Sequence, residues 1–327
     1  MPELIDPYCR KLDYLRISIT DRCNLRCLYC APPNLKIPKL SHRDILSYEE
    51  ILRLVRIGVS LGISKVRITG GEPLIRKDIG NFLSELGRIK GVSDLSLTTN
   101  GVLLRDHLES VRAAGIRRLN ISLDTLKPER FEQIAGHDYF RQVWDGILAA
   151  YHAGFSPIKI NIVAMRGIND DEFADIARLC FSYPFHIRFI EYMPMGNSPL
   201  ETARQILAPE IMKILSAIGE LVPIEKKQHD GPAERYRFKD AIGEIGFIRP
   251  LSHHFCAQCN RLRLTASGQL RPCLLSDAQH DLKNALRNGS SDAQIADIFL
   301  TAARFKPHRH HLIEEENVKS QMSLIGG

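Results

Sequence analysis

From residue 14 to about 218 the sequence alternates short runs rich in Ile, Val and Leu with longer amphipathic stretches, and few folds accept that rhythm. Candidate strands are Tyr14–Thr20, Lys65–Thr69, Asp94–Thr98, Arg118–Leu123, Ile158–Val163 and Ile187–Glu191, each bounded by Gly, Asn, Asp or Pro. Helical patterns lie between them near 47–61, 76–89, 104–114, 140–153 and 170–181. Ser47 followed by Glu50 reads as a capping box, and Gly62, Gly91, Gly115 and Gly154 read as stop signals after helices or at turns.

One strand per helix, repeated about six times, argues for an α/β chain with a parallel sheet. Six units are too few for a closed eight-fold barrel. We expect an open, incomplete (three-quarter) TIM-like barrel, with a flat doubly wound sheet as the alternative. In either, polar motifs gather where strands end and helices begin. After about 220 the rhythm changes. Glu234–Lys239 and Glu244–Ile248 read as short antiparallel strands, and Leu262–Thr265 and Gln269–Pro272 as a hairpin turning through Ala266, Ser267 and Gly268. A helical pair follows near 277–303. The expected division is a barrel over 1–220 and a smaller α+β unit over 221–327, ending in a mobile tail.

No run of about eighteen apolar residues occurs, so no transmembrane helix is expected. The first residues carry acids and lack the pattern of a secretory signal, which makes a cytoplasmic location the default. The net charge of +6 is mild for 327 residues and suits an anionic small molecule. No basic block interleaved with aromatics reads as a face for a nucleic acid polymer.

The eight cysteines are clustered: Cys23, Cys27 and Cys30, then Cys256, Cys259 and Cys273, with Cys9 and Cys180 apart. In a reducing compartment such clusters read as metal ligands rather than disulfides. The first set is spaced C-x3-C-x2-C. Three thiolates this close hold three irons of a cubane cluster and leave the fourth iron open, whereas ferredoxins close the shell with a fourth cysteine. Zinc is the alternative, with His42 or Asp21 as fourth ligand. The second set is spaced C-x2-C-x13-C and again lacks an evident fourth cysteine. It reads as a second cluster with an open iron, or as a zinc knuckle completed by His253 or His254. Arg261 and Arg263, one residue apart on a candidate strand, project to one face and suit a phosphate chain. Lys159 lies on an apolar strand where a lysine needs an anion, and Arg16 and Arg67 likewise interrupt apolar strands.

The first spacing, with Tyr29 just before the last cysteine, resembles the radical S-adenosylmethionine superfamily. Further elements appear in order: Gly70-Gly71-Glu72-Pro73 after the second strand, Thr98-Thr99-Asn100-Gly101 after the third, Ile121-Ser122-Leu123-Asp124 at the fourth and Met193 after the sixth. The resemblance implies that Gly71, Ser122 and the segments at Tyr29 and Met193 hold S-adenosylmethionine. It also implies that electron transfer from a reduced cluster cleaves this cofactor to a 5′-deoxyadenosyl radical.

Gly231-Pro232-Ala233, Gly246-Phe247-Ile248, Ser252-His253-His254-Phe255-Cys256 and the terminal Gly326-Gly327 narrow the resemblance to the GTP 3′,8-cyclases of molybdenum cofactor biosynthesis. That family implies two [4Fe-4S] clusters, and GTP bound between the barrel and the second cluster. It places GTP contacts at Arg16, Arg67, Thr98, Lys159, Arg261 and Arg263. Catalytic roles fall to Arg16, Arg261, Arg263, Gly326 and Gly327, the glycines entering the active site on the tail. Implied partners are an electron donor and the next enzyme of the pathway. A homodimer is left open. A radical enzyme acting on a peptide and a non-enzymatic zinc module are the alternatives.

Overall fold

The computed structural model describes residues 3–31, 38–196, 200, 202–225, 231–310 and 318–326. Gly327 lies outside them. Six strands, β1 (Tyr14–Ser18), β2 (Lys65–Thr69), β3 (Asp94–Thr99), β4 (Arg118–Ser122), β5 (Ile158–Ala164) and β6 (His186–Glu191), pair in parallel and in chain order. Their residues alternate. One set packs Leu15, Ile17, Val66, Ile68, Ile160 and Ile162 into the core beneath the helices. The other set turns Arg16, Arg67, Asn161 and Arg188 toward the cavity. That alternation explains why arginines interrupt apolar strands.

The helices of this part are α1 (Tyr48–Ser60), α2 (Ile79–Gly87), α3 (Leu104–Ala113), α4 (Pro128–Ala135), α5 (Phe140–His152), α6 (Phe173–Ser182) and α7 (Ala208–Leu215). The Ser47 side chain accepts from the Glu50 N–H, and Glu50 accepts from the Ser47 N–H, so the expected capping box closes α1. Gly62, Gly91, Gly115 and Gly154 all take positive φ. The pattern reading omitted α4 and α7. Each is eight residues long and enters through Pro at its first turn, a start signal that was there to be read.

The strands after residue 220 continue the barrel sheet at both edges. They are β7 (Leu221–Ile224), β8 (Glu234–Phe238), β9 (Glu244–Ile248), β10 (Arg261–Leu264), β11 (Gln269–Arg271) and β12 (His280–Asp281). β9 pairs in parallel with β6, and β10 pairs in parallel with β1. The sheet order is β12-β11-β10-β1-β2-β3-β4-β5-β6-β9-β8-β7, an open, mixed sheet that does not close. The expected antiparallel β8–β9 pair and the β10–β11 hairpin are present. Helices α8 (Leu282–Arg287) and α9 (Asp292–Arg304) pack on β11, and α9 also packs on β12 and α1.

The described tail is docked rather than loose. A short turn, α10 (Met322–Ile325), buries Ile325 against Met195, Leu275 and Val318, while Leu324 is only half-buried. Arg271, 2% exposed, reaches Ser320, and Asp277 accepts from the Lys319 and Ser320 N–H groups. The tail is thereby fixed to the strand pair that leads into Cys273. Among the described residues no helix is long and apolar enough to cross a membrane.

Candidate active site

The loop after β1 carries Cys23, Cys27 and Cys30, and it is held by the ends of β2, β3 and α4. The Arg26 and Leu28 N–H groups donate to Ala135 O and Ile134 O. Gly71 N donates to Thr20 O at 2.7 Å, and Glu72 N to Arg22 O at 2.8 Å. A Cβ on Gly71 would stand 2.2 Å from Arg22 O, so the close approach that requires glycine here is that of the cysteine loop itself. Two N–H groups point at Cys23 Sγ, from Leu25 N at 3.4 Å and Asn100 Nδ2 at 3.6 Å.

Glu72 is fully buried. It accepts from Leu74 N, Asn100 N and the Thr99 hydroxyl. Burial outweighs those three donors and pushes its pKa up to about 7. Asp124 accepts from Val163 N and the Tyr29 hydroxyl, and burial raises it to about 6. Burial also raises the thiols of Cys23, Cys27 and Cys30, the last to about 12. Metal coordination removes those protons outright.

The second cysteine set faces the first across a single cavity of about 600 Å³ that all six cysteines line. At Cys259 burial raises the thiol, but the nearby charges of Arg261 and Lys306 win and bring it down to about 6. His253 turns away, its Nδ1 lying 2.7 Å from Glu234, whereas His254 lines the cavity. Among the described residues no three His, Cys, Asp or Glu side chains group as ligands of one metal ion. A cubane takes one thiolate per iron and needs them further apart than the ligands of a single ion.

Between the two sets stands a row of cations. β10, β1 and β2 are in register, so Arg263, Arg16 and Arg67 lie side by side on one face. Neighbouring strands are roughly 5 Å apart. Two like charges at that spacing repel by about 3 kcal/mol at an effective dielectric near 20. Burial first, then Arg263 and Arg67, lower the pKa of Arg16 well below its usual value. Burial and then Arg261 bring Arg263 to about 9. No carboxylate among the described residues is ion-paired to Arg263 or Arg67. Arg263 instead donates from Nη1 to Gly326 O at 3.1 Å, and burial followed by Arg67 brings cavity-lining Arg188 to about 9. The Tyr14 hydroxyl, Thr98 Oγ1 and Asn161 Oδ1 are buried at this cavity with no hydrogen-bond partner among the described residues. Unsatisfied polar atoms and repelling cations around a hollow fit an anionic, hydrogen-bonding ligand.

The cavity brings together the six motif cysteines and Arg16, Tyr29, Arg67, Gly71, Thr98, Ser122, Met193, Arg261 and Arg263. Lys159 is not part of its lining. It sits on the face of Asn161 and Val163, one alternate position further toward the start of β5. Gly326 is likewise absent from the lining and packs beside lining residue Thr69, where a Cβ would stand 2.7 Å from Ser18 Cβ and 3.1 Å from Thr69 Cγ2. Arg188 and Tyr14 are lining residues that the sequence reading did not select. Arg188 carried the same signal as Arg16 and Arg67, an arginine inside an apolar strand. Tyr14 carried none.

An open parallel barrel with three thiolates on its first strand-end loop defines a radical S-adenosylmethionine protein. Residues 17–180 match the family model described as Radical SAM superfamily, and residues 185–312 match Molybdenum Cofactor Synthesis C. Curated relatives named GTP 3′,8-cyclase come from Pelotomaculum thermopropionicum, at 46% identity over 98% of this chain and 99% of that protein, and from Desulforamulus reducens, at 47% over 99% and 100%. The chain belongs to the GTP 3′,8-cyclase family. A crystal structure of Streptococcus suis SuiB bound to S-adenosylmethionine shares the fold, with a TM-score of 0.59 and 18% identity over 88% of this chain and 67% of that one. Membership in the superfamily implies a [4Fe-4S] cluster and S-adenosylmethionine.

Proposed function

We infer that the chain catalyses the radical cyclisation of GTP to (8S)-3′,8-cyclo-7,8-dihydroguanosine 5′-triphosphate, a lyase-class step toward the molybdenum cofactor. One observation carries the site assignment: a single cavity holds three cysteines at each end and a row of cations between them. A cluster held by Cys23, Cys27 and Cys30, together with S-adenosylmethionine, would supply the one-electron chemistry that opens cyclisation between ribose C3′ and guanine C8, and the product needs one further electron and one proton.

This chain's residues bind and orient. Cys23, Cys27 and Cys30 hold the first cluster. Tyr29, Gly71, Ser122 and Met193 line the place of S-adenosylmethionine. Cys256, Cys259 and Cys273 would hold a second [4Fe-4S] cluster, which would supply a Lewis-acidic iron for the guanine base. Arg16, Arg67, Arg261 and Arg263 meet the triphosphate, with Thr98 as a further contact and Arg188 added by its position, while Lys159, outside the lining, is assigned to GTP by the resemblance alone. Gly326 and Gly327 are assigned catalytic roles by the resemblance, and Gly326, the one of the two within the described residues, is tied to Arg263 through its carbonyl. The reaction needs a one-electron donor and an enzyme that takes up the cyclised nucleotide. Reduced thiols of this kind suit the cytoplasm.

The test is an anaerobic assay with GTP, S-adenosylmethionine and dithionite. Formation of 5′-deoxyadenosine together with a cyclised nucleotide is expected. Cofactor cleavage that GTP does not stimulate, with no cyclised product, overturns the reading.

A further inference from the structure

Lys306 follows α9 and is 3% exposed. Its ammonium donates to Arg261 O at 2.8 Å and to Pro272 O at 2.7 Å. Those two carbonyls belong to the stretches that carry Cys259 and Cys273. Arg261 is two residues beyond the first, and Pro272 immediately precedes the second. One buried cation therefore fastens together two parts of the second cysteine set that are far apart in sequence.

Arg10 makes a comparison. It donates to Cys256 O at 2.6 Å and to Pro307 O at 2.7 Å, fixing the segment after Lys306 to the remaining cysteine. Its charge is cancelled by buried Asp6, with Nε 2.5 Å from Oδ2. Lys306 has no such carboxylate among the described residues. Carbonyl dipoles alone do not repay the burial of an ammonium, which requires an anion nearby. The anionic candidates on the stretches it binds are the thiolates of Cys259 and Cys273, whose charge favours the ammonium.

We propose that Lys306 is the positioning residue and counter-charge of the group held by Cys256, Cys259 and Cys273. This rests on reading that set as a cluster site. Three thiolates on a doubly positive iron–sulfur core leave one net negative charge, and reduction makes it two. A fixed cation behind the ligands favours the reduced form and raises the reduction potential. Arg10, already neutralised, serves as a clamp only.

The test uses the full-length, anaerobically reconstituted protein and follows both clusters. In Lys306→Met the second cluster shifts to a more negative midpoint potential and loses iron to a chelator several-fold faster, while the first cluster keeps its potential and its iron. Lys306→Gln keeps a donor for the carbonyls but no charge. It recovers much of the iron retention and none of the potential. The double variant Arg10→Met with Asp6→Asn, which removes the ion pair together, loses iron faster with no shift in potential. Unchanged potential and iron loss in both Lys306 variants overturns the proposal. A parent protein that binds only one cluster overturns the cluster reading on which it rests, a result visible before any variant is made.

Discussion

Arg263 donates from Nη1 to the carbonyl oxygen of Gly326, 3.1 Å away, so a guanidinium of the cation row is bridged to the end of the chain. The two residues are 63 positions apart, and the contact forms because β10 lies beside β1 while the tail returns across the ends of β1 and β2. The tail thus senses the same side chain that is assigned to substrate phosphate.

Gly326→Ala tests that relationship. Gly326 has φ +81°, and an added Cβ would stand 2.7 Å from Ser18 Cβ. The left-handed conformation costs a non-glycine residue roughly 1–2 kcal/mol before any clash. Cyclised product is expected to fall about tenfold or more, with iron content and GTP affinity nearly unchanged. Parent-rate conversion by a chain lacking both terminal glycines refutes a catalytic role for the tail.

Substitutions in the two cysteine sets are expected to separate. Cys27→Ser abolishes 5′-deoxyadenosine formation and leaves about half the iron, because the first cluster loses a ligand. Cys273→Ser keeps the first cluster and its redox activity but loses cyclisation of GTP. Iron analysis beside product chromatography checks both. Normal cyclisation by Cys273→Ser would show the second set to be structural.

The cation row predicts selectivity for phosphate. Arg16→Ala and Arg263→Ala weaken GTP binding by about 1.5–3 kcal/mol each, the scale of a charge-assisted hydrogen bond, and guanosine binding much less. Calorimetry with the two ligands decides. Equal losses for GTP and guanosine point to a general disturbance of the fold.

Glu72 gives a pH dependence. Its folded pKa of about 7 lies above the ordinary 4.5, chiefly through burial, so the folded state holds the proton more tightly than the unfolded state. Stability from this group is greatest at the acid end and falls as pH rises from about 4.5 to about 7, by on the order of 3 kcal/mol at most. The stability advantage of the parent over Glu72→Gln in the metal-free protein is expected to shrink across that window in denaturant titrations. A constant difference refutes the shift.

Local chemistry made much of this molecule legible. Strands such as Lys65–Thr69 and Glu244–Ile248 announce themselves by β-branched runs between turn residues, and Ser47 and Glu50 mark the start of α1. The short helices α4 and α7 offered only Pro at the first turn, since eight residues give barely two turns of periodicity. The cysteine spacing and the arginines on apolar strands pointed to most of the cavity lining, because each breaks a local rule that a ligand would justify, while Gly71 is required by the cysteine loop packed against it.

The sequence by itself determined which residues were candidates for the cavity: spacing within a loop and alternation along a strand are short-range properties. Tertiary structure alone decided how the two halves meet. Parallel pairing of β10 with β1 and of β9 with β6 draws the C-terminal strands into the barrel sheet, and no local pattern encodes which edges pair. That pairing sets Arg263 beside Arg16, turns Lys306 behind Cys259 and Cys273, and brings the tail to Ser18. Such contacts depend on register and burial summed over the whole sheet, so they exist only once the chain has folded.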